Sequence, residues 1–169
     1  MKAKIFSLLI LGAFMLGSCA KKTVNTTGGT TTYDDSYVIN GNGFKNVVYA
    51  ISSVAQQSCN YDASSNTTTV SISGTSGDSI AVSYDIQFTG KATGTYTLSP
   101  TGPNVITITT TPIKNPNGLQ IYSSNSGAKL VVATYGASGS KITGTFSGAF
   151  SNTGNNYTFS AGTFAASVQ

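Results

Sequence analysis

The stretch SIAVSYDIQF, residues 79–88, decides the fold of this chain. Large apolar residues occupy every second position, and small or polar residues stand between them. The alternating apolar set is Ile80, Val82, Tyr84, Ile86 and Phe88. Because successive side chains of a β-strand point to opposite faces, this pattern predicts a long strand with one buried face.

The same period of two continues on both sides of this strand. Upstream, Val70 and Ile72 are in phase, and the glycine-rich residues 74–78 predict a hairpin turn. Downstream, AKLVVATY, residues 128–135, is apolar on both faces, which is typical of a central strand. The sequence therefore predicts an all-β fold, an antiparallel meander of about nine or ten strands that forms a sandwich or a flattened barrel.

Glycines alternate with aromatic residues in the strand predicted over residues 141–151. Gly144 and Gly148 share one face with Phe146 and Phe150. A glycine on the core face leaves room for a facing ring or for bending of the sheet.

The last strand changes its parity at a glycine. Tyr157 and Phe159 occupy odd positions, whereas Phe164, Ala166 and Val168 occupy even ones. A one-residue slip of this kind predicts a β-bulge near Ala161 and Gly162.

The N-terminus has the order of a secretory leader that ends at a cysteine. Lys2 and Lys4 precede an apolar run, residues 5–16, that is shorter than the roughly 20 residues of a membrane-spanning helix. The order that follows resembles the lipobox of bacterial lipoproteins: Leu16, Gly17, Ser18, Cys19. The resemblance implies a diacylglycerol on the Cys19 sulfur and cleavage just before it. A signal peptide cut elsewhere, or a buried N-terminal helix, is the alternative.

This order divides the chain into three segments. Residues 1–18 form the lipoprotein signal peptide, residues 19–36 the lipidated cysteine and a flexible tether, and residues 37–169 a single all-β domain. The tether is rich in Thr, Gly and Asn, and its root-mean-square reach is roughly 20–25 Å. An extra edge strand near Thr30–Tyr33 is the alternative for its last part.

Composition excludes some classes of partner. The chain has nine basic and five acidic residues and no histidine. Nucleic-acid binding is not predicted, because it requires clustered Lys and Arg for counterion release. With Cys19 used by lipid, Cys59 is left as a lone thiol, either buried and inert or reactive. No histidine or arginine is present to activate it, which favours the inert alternative.

Catalysis, a metal site and a cofactor are not predicted. General acid–base chemistry most often uses His, Glu or Asp, and the five acidic residues form no catalytic motif. Asn60, Asp62 and Ser64 place oxygen atoms at alternate positions, as calcium loops do, but no further carboxylate follows. Such clusters are usually turns.

A binding module for a glycan, a lipid or a peptide is the leading functional hypothesis. Tyrosine is the available contact residue, because its ring is apolar and its hydroxyl is polar. Tyr61 and Tyr122 fall outside the core phase and are the predicted ligand contacts. The alternative is a non-catalytic accessory subunit of an outer-membrane protein complex. A concave, aromatic-lined pocket favours the first, and an exposed apolar patch favours the second.

The C-terminal part of the chain resembles a group of small Bacteroidota lipoproteins built on an uncharacterised all-β domain. The resemblance covers about residues 66–168 and is carried by Gly94–Leu98, Ile142–Gly148 and Gly162–Phe164. It implies a lipid-anchored protein of the outer membrane, which Ala20, a non-acidic residue after the lipidated cysteine, also favours. In that phylum, export to the cell surface is associated with acidic residues directly after the lipidated cysteine, whereas Lys21 and Lys22 follow here. The sequence therefore does not decide which leaflet of the outer membrane holds the anchor.

Overall fold

The computed structural model describes residues 35–77, 79–114 and 116–169, so the leader, the lipobox and most of the tether lie outside the described residues. Within that part of the chain there are ten strands: β1 Ser36–Gly41, β2 Phe44–Asp62, β3 Thr67–Ser76, β4 Ile80–Thr89, β5 Gly94–Thr97, β6 Val105–Pro112, β7 Gln120–Ser124, β8 Lys129–Tyr135, β9 Lys141–Asn152 and β10 Asn155–Ser167. A 3-10 turn, Pro116–Gly118, lies between β6 and β7. No helix among the described residues is long and apolar enough to cross a membrane.

The strands form an antiparallel sheet that closes on itself. The order is β10-β1-β2-β3-β4-β6-β7-β9-β8-β5, and β10 also pairs with β9. Eight of the ten described strands therefore make a closed barrel, and β8 and β5 extend from it. The fork lies at β9, whose end pairs with β7 through Phe150 and Ser151, while its beginning pairs with β8. The predicted all-β antiparallel fold is confirmed, in its barrel form.

The barrel interior is filled by aromatic and branched side chains. Val82, Tyr84, Ile86 and Phe88 of β4 are buried, as the alternation predicts. Phe159 lies at the centre, with its ring 4.9 Å from that of Tyr37 and 4.3 Å from that of Phe150. Rings at such distances add to the stabilisation that their burial provides. This packing occupies the space that a ligand would need inside the barrel.

Two tyrosine hydroxyls lie inside this core without a hydrogen-bond partner among the described residues, those of Tyr37 and Tyr84. Burial raises the pKa of both groups well above that of a free phenol. Both side chains therefore stay neutral at physiological pH.

The predicted bulge is present in β10. The pairing with β9 shifts its register between Phe159 and Gly162, and Ala161 has a left-handed φ of 49°. The extra residue turns Phe164 back into the core, where it is 1% exposed. Because of the bulge, the aromatic side chains before and after it all face the core, although they occupy odd and even positions.

Two sequence-based expectations about strands are wrong. Gly74 belongs to β3, which continues to Ser76, so the turn is shorter than predicted. Gly74 pairs with Val54 of β2, and a Cβ at this position would overlap the carbonyl oxygen of Ser53. The glycine therefore allows a close approach of β2 and β3 and does not form the turn. The strand β8 is not buried on both faces, since Val131 is 37% exposed. It lies outside the closed barrel, with only one face against the core.

The folded domain begins before Tyr37. Ser36 belongs to β1, and Asp35 is only 1% exposed. The Ala165 amide donates to Asp35 Oδ1 at 2.8 Å, and Gln57 Nε2 donates to Asp35 Oδ2 at 2.7 Å. The structure thus assigns to the domain two residues that the sequence analysis assigned to the tether.

Candidate ligand-binding cleft

A concave surface lies where four separate segments meet. These are the end of β2, the loop after β4, the loop between β8 and β9, and the last two residues. The cleft has a volume of about 430 Å³. We call it the end cleft, and its lining residues are Tyr61, Lys91, Tyr135, Gly136, Ala137, Ser138, Val168 and Gln169.

Tyr61 stands at one side of the end cleft and is held in place from two directions. Its hydroxyl donates to Asn66 Oδ1 at 2.8 Å across the β2–β3 turn. Lys91 Nζ lies 5.0 Å from the centroid of its ring, within the range of a cation–π interaction. The pair presents an aromatic surface and a positive charge to the cleft.

The turn beside Tyr61 is closed by Asp62. Its Oδ1 accepts hydrogen bonds from the amide and the hydroxyl of Ser64, and its Oδ2 accepts one from the Ser65 hydroxyl. These bonds lower the pKa of the Asp62 carboxyl, and the bond from the Ser64 hydroxyl has the largest effect. Both carboxylate oxygens are therefore used by the turn itself. Within the described residues, no three His, Cys, Asp or Glu side chains come together as metal ligands would.

A chain of hydrogen-bonded polar groups lies behind Tyr135, which lines the end cleft. Thr68 Oγ1 donates to the carbonyl oxygen of Gly90 at 2.6 Å, so its one hydroxyl hydrogen is used. Tyr135, whose hydroxyl lies 3.2 Å from Thr68 Oγ1, is then the donor in that contact. The Cys59 thiol donates in turn to the Tyr135 hydroxyl at 3.7 Å. This order fixes the direction of the Tyr135 hydroxyl.

Cys59 lies at the inner end of this chain of polar groups and is fully buried. Burial raises the pKa of its thiol. The thiolate is the nucleophilic form, so burial and a raised pKa both suppress reactivity. The structure agrees with the inert alternative for this residue.

We expect native Cys59 to resist a charged aromatic disulfide reagent at pH 8. The measurement is the rate of thiol release from a Cys19→Ser variant, in buffer and in urea. Labelling should be at least about a hundredfold slower in buffer, because only molecules that open or unfold can react. Equal rates in the two solvents would contradict the buried, inert assignment.

The two tyrosines predicted as ligand contacts have different positions. Tyr61 lines the end cleft, and its role as a ligand contact stays a prediction. Tyr122 is 2% exposed and packs against the rings of Tyr157 at 5.0 Å and Phe159 at 5.4 Å, so the prediction that it lies outside the core is wrong. The pairing of β7 with β6 places Tyr122 opposite Ile108, on the inner face. Burial raises the pKa of Tyr122 to about 12.

Lys91 and Tyr135 also line the end cleft and were not predicted from the sequence as ligand contacts. Lys91 follows a glycine in a loop, and Tyr135 continues the apolar run of β8. Neither position carries a local signal for ligand binding, because the cleft exists only once the loops have converged.

Two other surface features accompany the end cleft. A shallower depression of about 300 Å³ lies on the outer wall, lined mostly by small Ser, Thr and Ala side chains of β3, β4 and β6. An exposed apolar cluster surrounds the β6–β7 turn; we call it the turn patch and define it as Ile113, Leu119 and Ile121. The chain therefore carries both a concave aromatic cleft and an apolar patch.

No protein-family model matches the chain, and no curated protein or solved structure is significantly similar to it.

Proposed function

We propose that this protein is a lipid-anchored cell-envelope module that binds a glycan in the end cleft. The observation that carries the proposal is the convergence of Tyr61, Lys91 and Tyr135 on one concave surface. Its volume of about 430 Å³ is in the range of small-molecule sites. The anchor itself is inferred from the lipobox, Leu16–Cys19.

The chemistry of the cleft favours a glycan over a lipid. A lipid would need an apolar interior cavity, and the centre of the barrel is filled by the rings of Tyr37, Phe150 and Phe159. A sugar ring instead presents C–H groups to an aromatic surface and hydroxyls to polar groups. Tyr61 offers the first kind of surface, and Ser138 and Lys91 offer the second.

Lys91 favours a glycan that carries a carboxylate. Its ammonium group is exposed at the rim of the cleft and lies over the Tyr61 ring. An exposed ion pair with a ligand adds up to about 1 kcal/mol, a contribution that salt screens. Acidic saccharides should therefore bind somewhat more tightly than neutral ones, and the difference should shrink in high salt.

The test is an array of neutral and acidic glycans probed with the full-length protein in mild detergent, followed by calorimetry on the best ligand. Tyr61→Ala should weaken binding by about tenfold, equivalent to about 1.4 kcal/mol, because it removes the aromatic surface. Lys91→Ala should weaken acidic ligands by up to about fivefold and leave neutral ones unchanged.

Lys45→Ala is the matched control for the lysine, since Lys45 is exposed in β2 far along the strand from Tyr61. Thermal melts of every variant separate lost binding from lost folding. The proposal fails if no glycan binds, or if Tyr61→Ala and Lys91→Ala bind as the unaltered protein does.

A further inference from the structure

The turn patch is an unusual surface for a protein rich in Thr, Ser and Asn. Ile113 is 55% exposed, Leu119 48% and Ile121 47%. Lys114 follows Ile113 and is also exposed. Grouped apolar side chains of this size mark contact with a protein or with a membrane.

The turn patch and the end cleft lie at opposite ends of β3 and β4. The Ile113 amide donates to the carbonyl oxygen of Ser79 at 3.0 Å, which joins the patch to the β3–β4 turn. The end cleft adjoins the other ends of these strands, where the Gly90 amide donates to the Asn66 carbonyl oxygen. At about 3.3 Å per residue, the ten residues of β3 separate the two ends by about 30 Å.

The N-terminal chain enters the domain within reach of the turn patch. The Asp35 carbonyl oxygen accepts a hydrogen bond from the Ile51 amide, and Ile51 pairs with Ser76 of β3. Ile80, at the start of β4, pairs with Pro112, directly before Ile113. Four strand spacings of about 4.8 Å make roughly 20 Å between Asp35 and the patch. Fifteen residues, 20–34, lie between Cys19 and Asp35, and a flexible chain of that length spans roughly 20 Å.

We propose that the turn patch rests on the lipid bilayer that holds the Cys19 anchor, with the end cleft facing away from the membrane. The branched side chains of the patch then enter the region between the head groups, and Lys114 pairs with lipid phosphate. The proposal rests on the lipid anchor of the proposed function and does not depend on which ligand the cleft binds.

The chain has no tryptophan, so one introduced indole reports the contact alone. Full-length lipidated Leu119→Trp is reconstituted into vesicles of phosphatidylethanolamine and phosphatidylglycerol, with or without brominated acyl chains. We expect emission at shorter wavelength and strong quenching by the brominated lipid. Tyr61→Trp, at the end cleft, is the matched control and should remain unquenched. Ile121→Trp provides a second position in the patch.

The intact mass of the purified protein distinguishes the two proposals. A mass that includes the lipid, together with equal quenching at positions 119 and 61, overturns the orientation and leaves the anchor intact. A mass without lipid overturns the anchor and, with it, the orientation, and leaves glycan binding to its own test. An indole at position 119 that stays unquenched in vesicles and shifts only when envelope proteins are added assigns the patch to a protein partner instead, and also overturns the membrane contact.

Discussion

Replacing Asp35 by alanine is expected to lower the free energy of unfolding by about 3 kcal/mol. The Asp35 carboxylate is buried and accepts hydrogen bonds from the Ala165 amide and from Gln57 Nε2. Without the carboxylate, the Ala165 amide loses its partner inside the protein, and a buried donor without a partner costs about 1–3 kcal/mol. Gln57 Nε2 loses its acceptor as well, which increases the loss.

Equilibrium unfolding in urea measures this effect, as a lower midpoint at an unchanged slope. Asp85→Ala is the matched control, because Asp85 is exposed on the outer face of β4; a change within about 0.5 kcal/mol is expected. Asp35→Asn should be intermediate, since an amide oxygen can still accept from the Ala165 amide. Equal midpoints for Asp35→Ala and Asp85→Ala would show that Asp35 does not hold the start of the domain.

Gly144→Ala is expected to destabilise the protein by about 3 kcal/mol, at the upper end of overpacking effects. A Cβ at this position would overlap the carbonyl oxygen of Val131 and lie 2.5 Å from the Phe164 ring. Val131 pairs with Thr145 in the β8–β9 ladder, so its carbonyl group cannot move without disturbing that pairing. The neighbouring ring is buried and has little room to give way.

Thermal unfolding followed by circular dichroism measures the loss, expected as a fall of roughly 10 °C in Tm for a domain of this size. Gly77→Ala serves as the control, because nothing lies within 4 Å of a Cβ there and its φ is not positive. That variant should be neutral or more stable by up to about 1 kcal/mol, since alanine restricts the unfolded chain. A similar Tm for the two variants would show that glycine at 144 is not needed for packing.

Residues with a strong local pattern were predicted correctly. The alternation in residues 79–88 identified the buried face of β4, because one long strand against a core has only one apolar side. The parity change between Phe159 and Phe164 identified the bulge for the same reason: both aromatic rings must reach the core. Neither inference needed a partner strand.

Residues whose environment depends on distant partners were not predicted correctly. Tyr122 lies in a strand of five residues, too short for its own pattern to set the phase, and its pairing with Ile108 turned it inward. Asp35 follows a low-complexity segment, and a carboxylate at that point is buried only because Gln57 and Ala165 supply donors. Those donors lie 22 and 130 residues away along the chain, so no local pattern indicates them.

By itself, the sequence determined the all-β class, the inward face of β4 and the bulge in β10. Each of these depends on residues that are close together along the chain, so local periodicity and order are sufficient. Only the tertiary structure decided the closure of the barrel, the burial of Asp35 and the end cleft. These depend on β10 meeting both β1 and β9, and on Tyr61, Lys91 and Tyr135 arriving from different segments. Such long-range pairings bury polar side chains and form clefts because they bring together residues that are far apart along the chain. No single stretch of sequence encodes that arrangement.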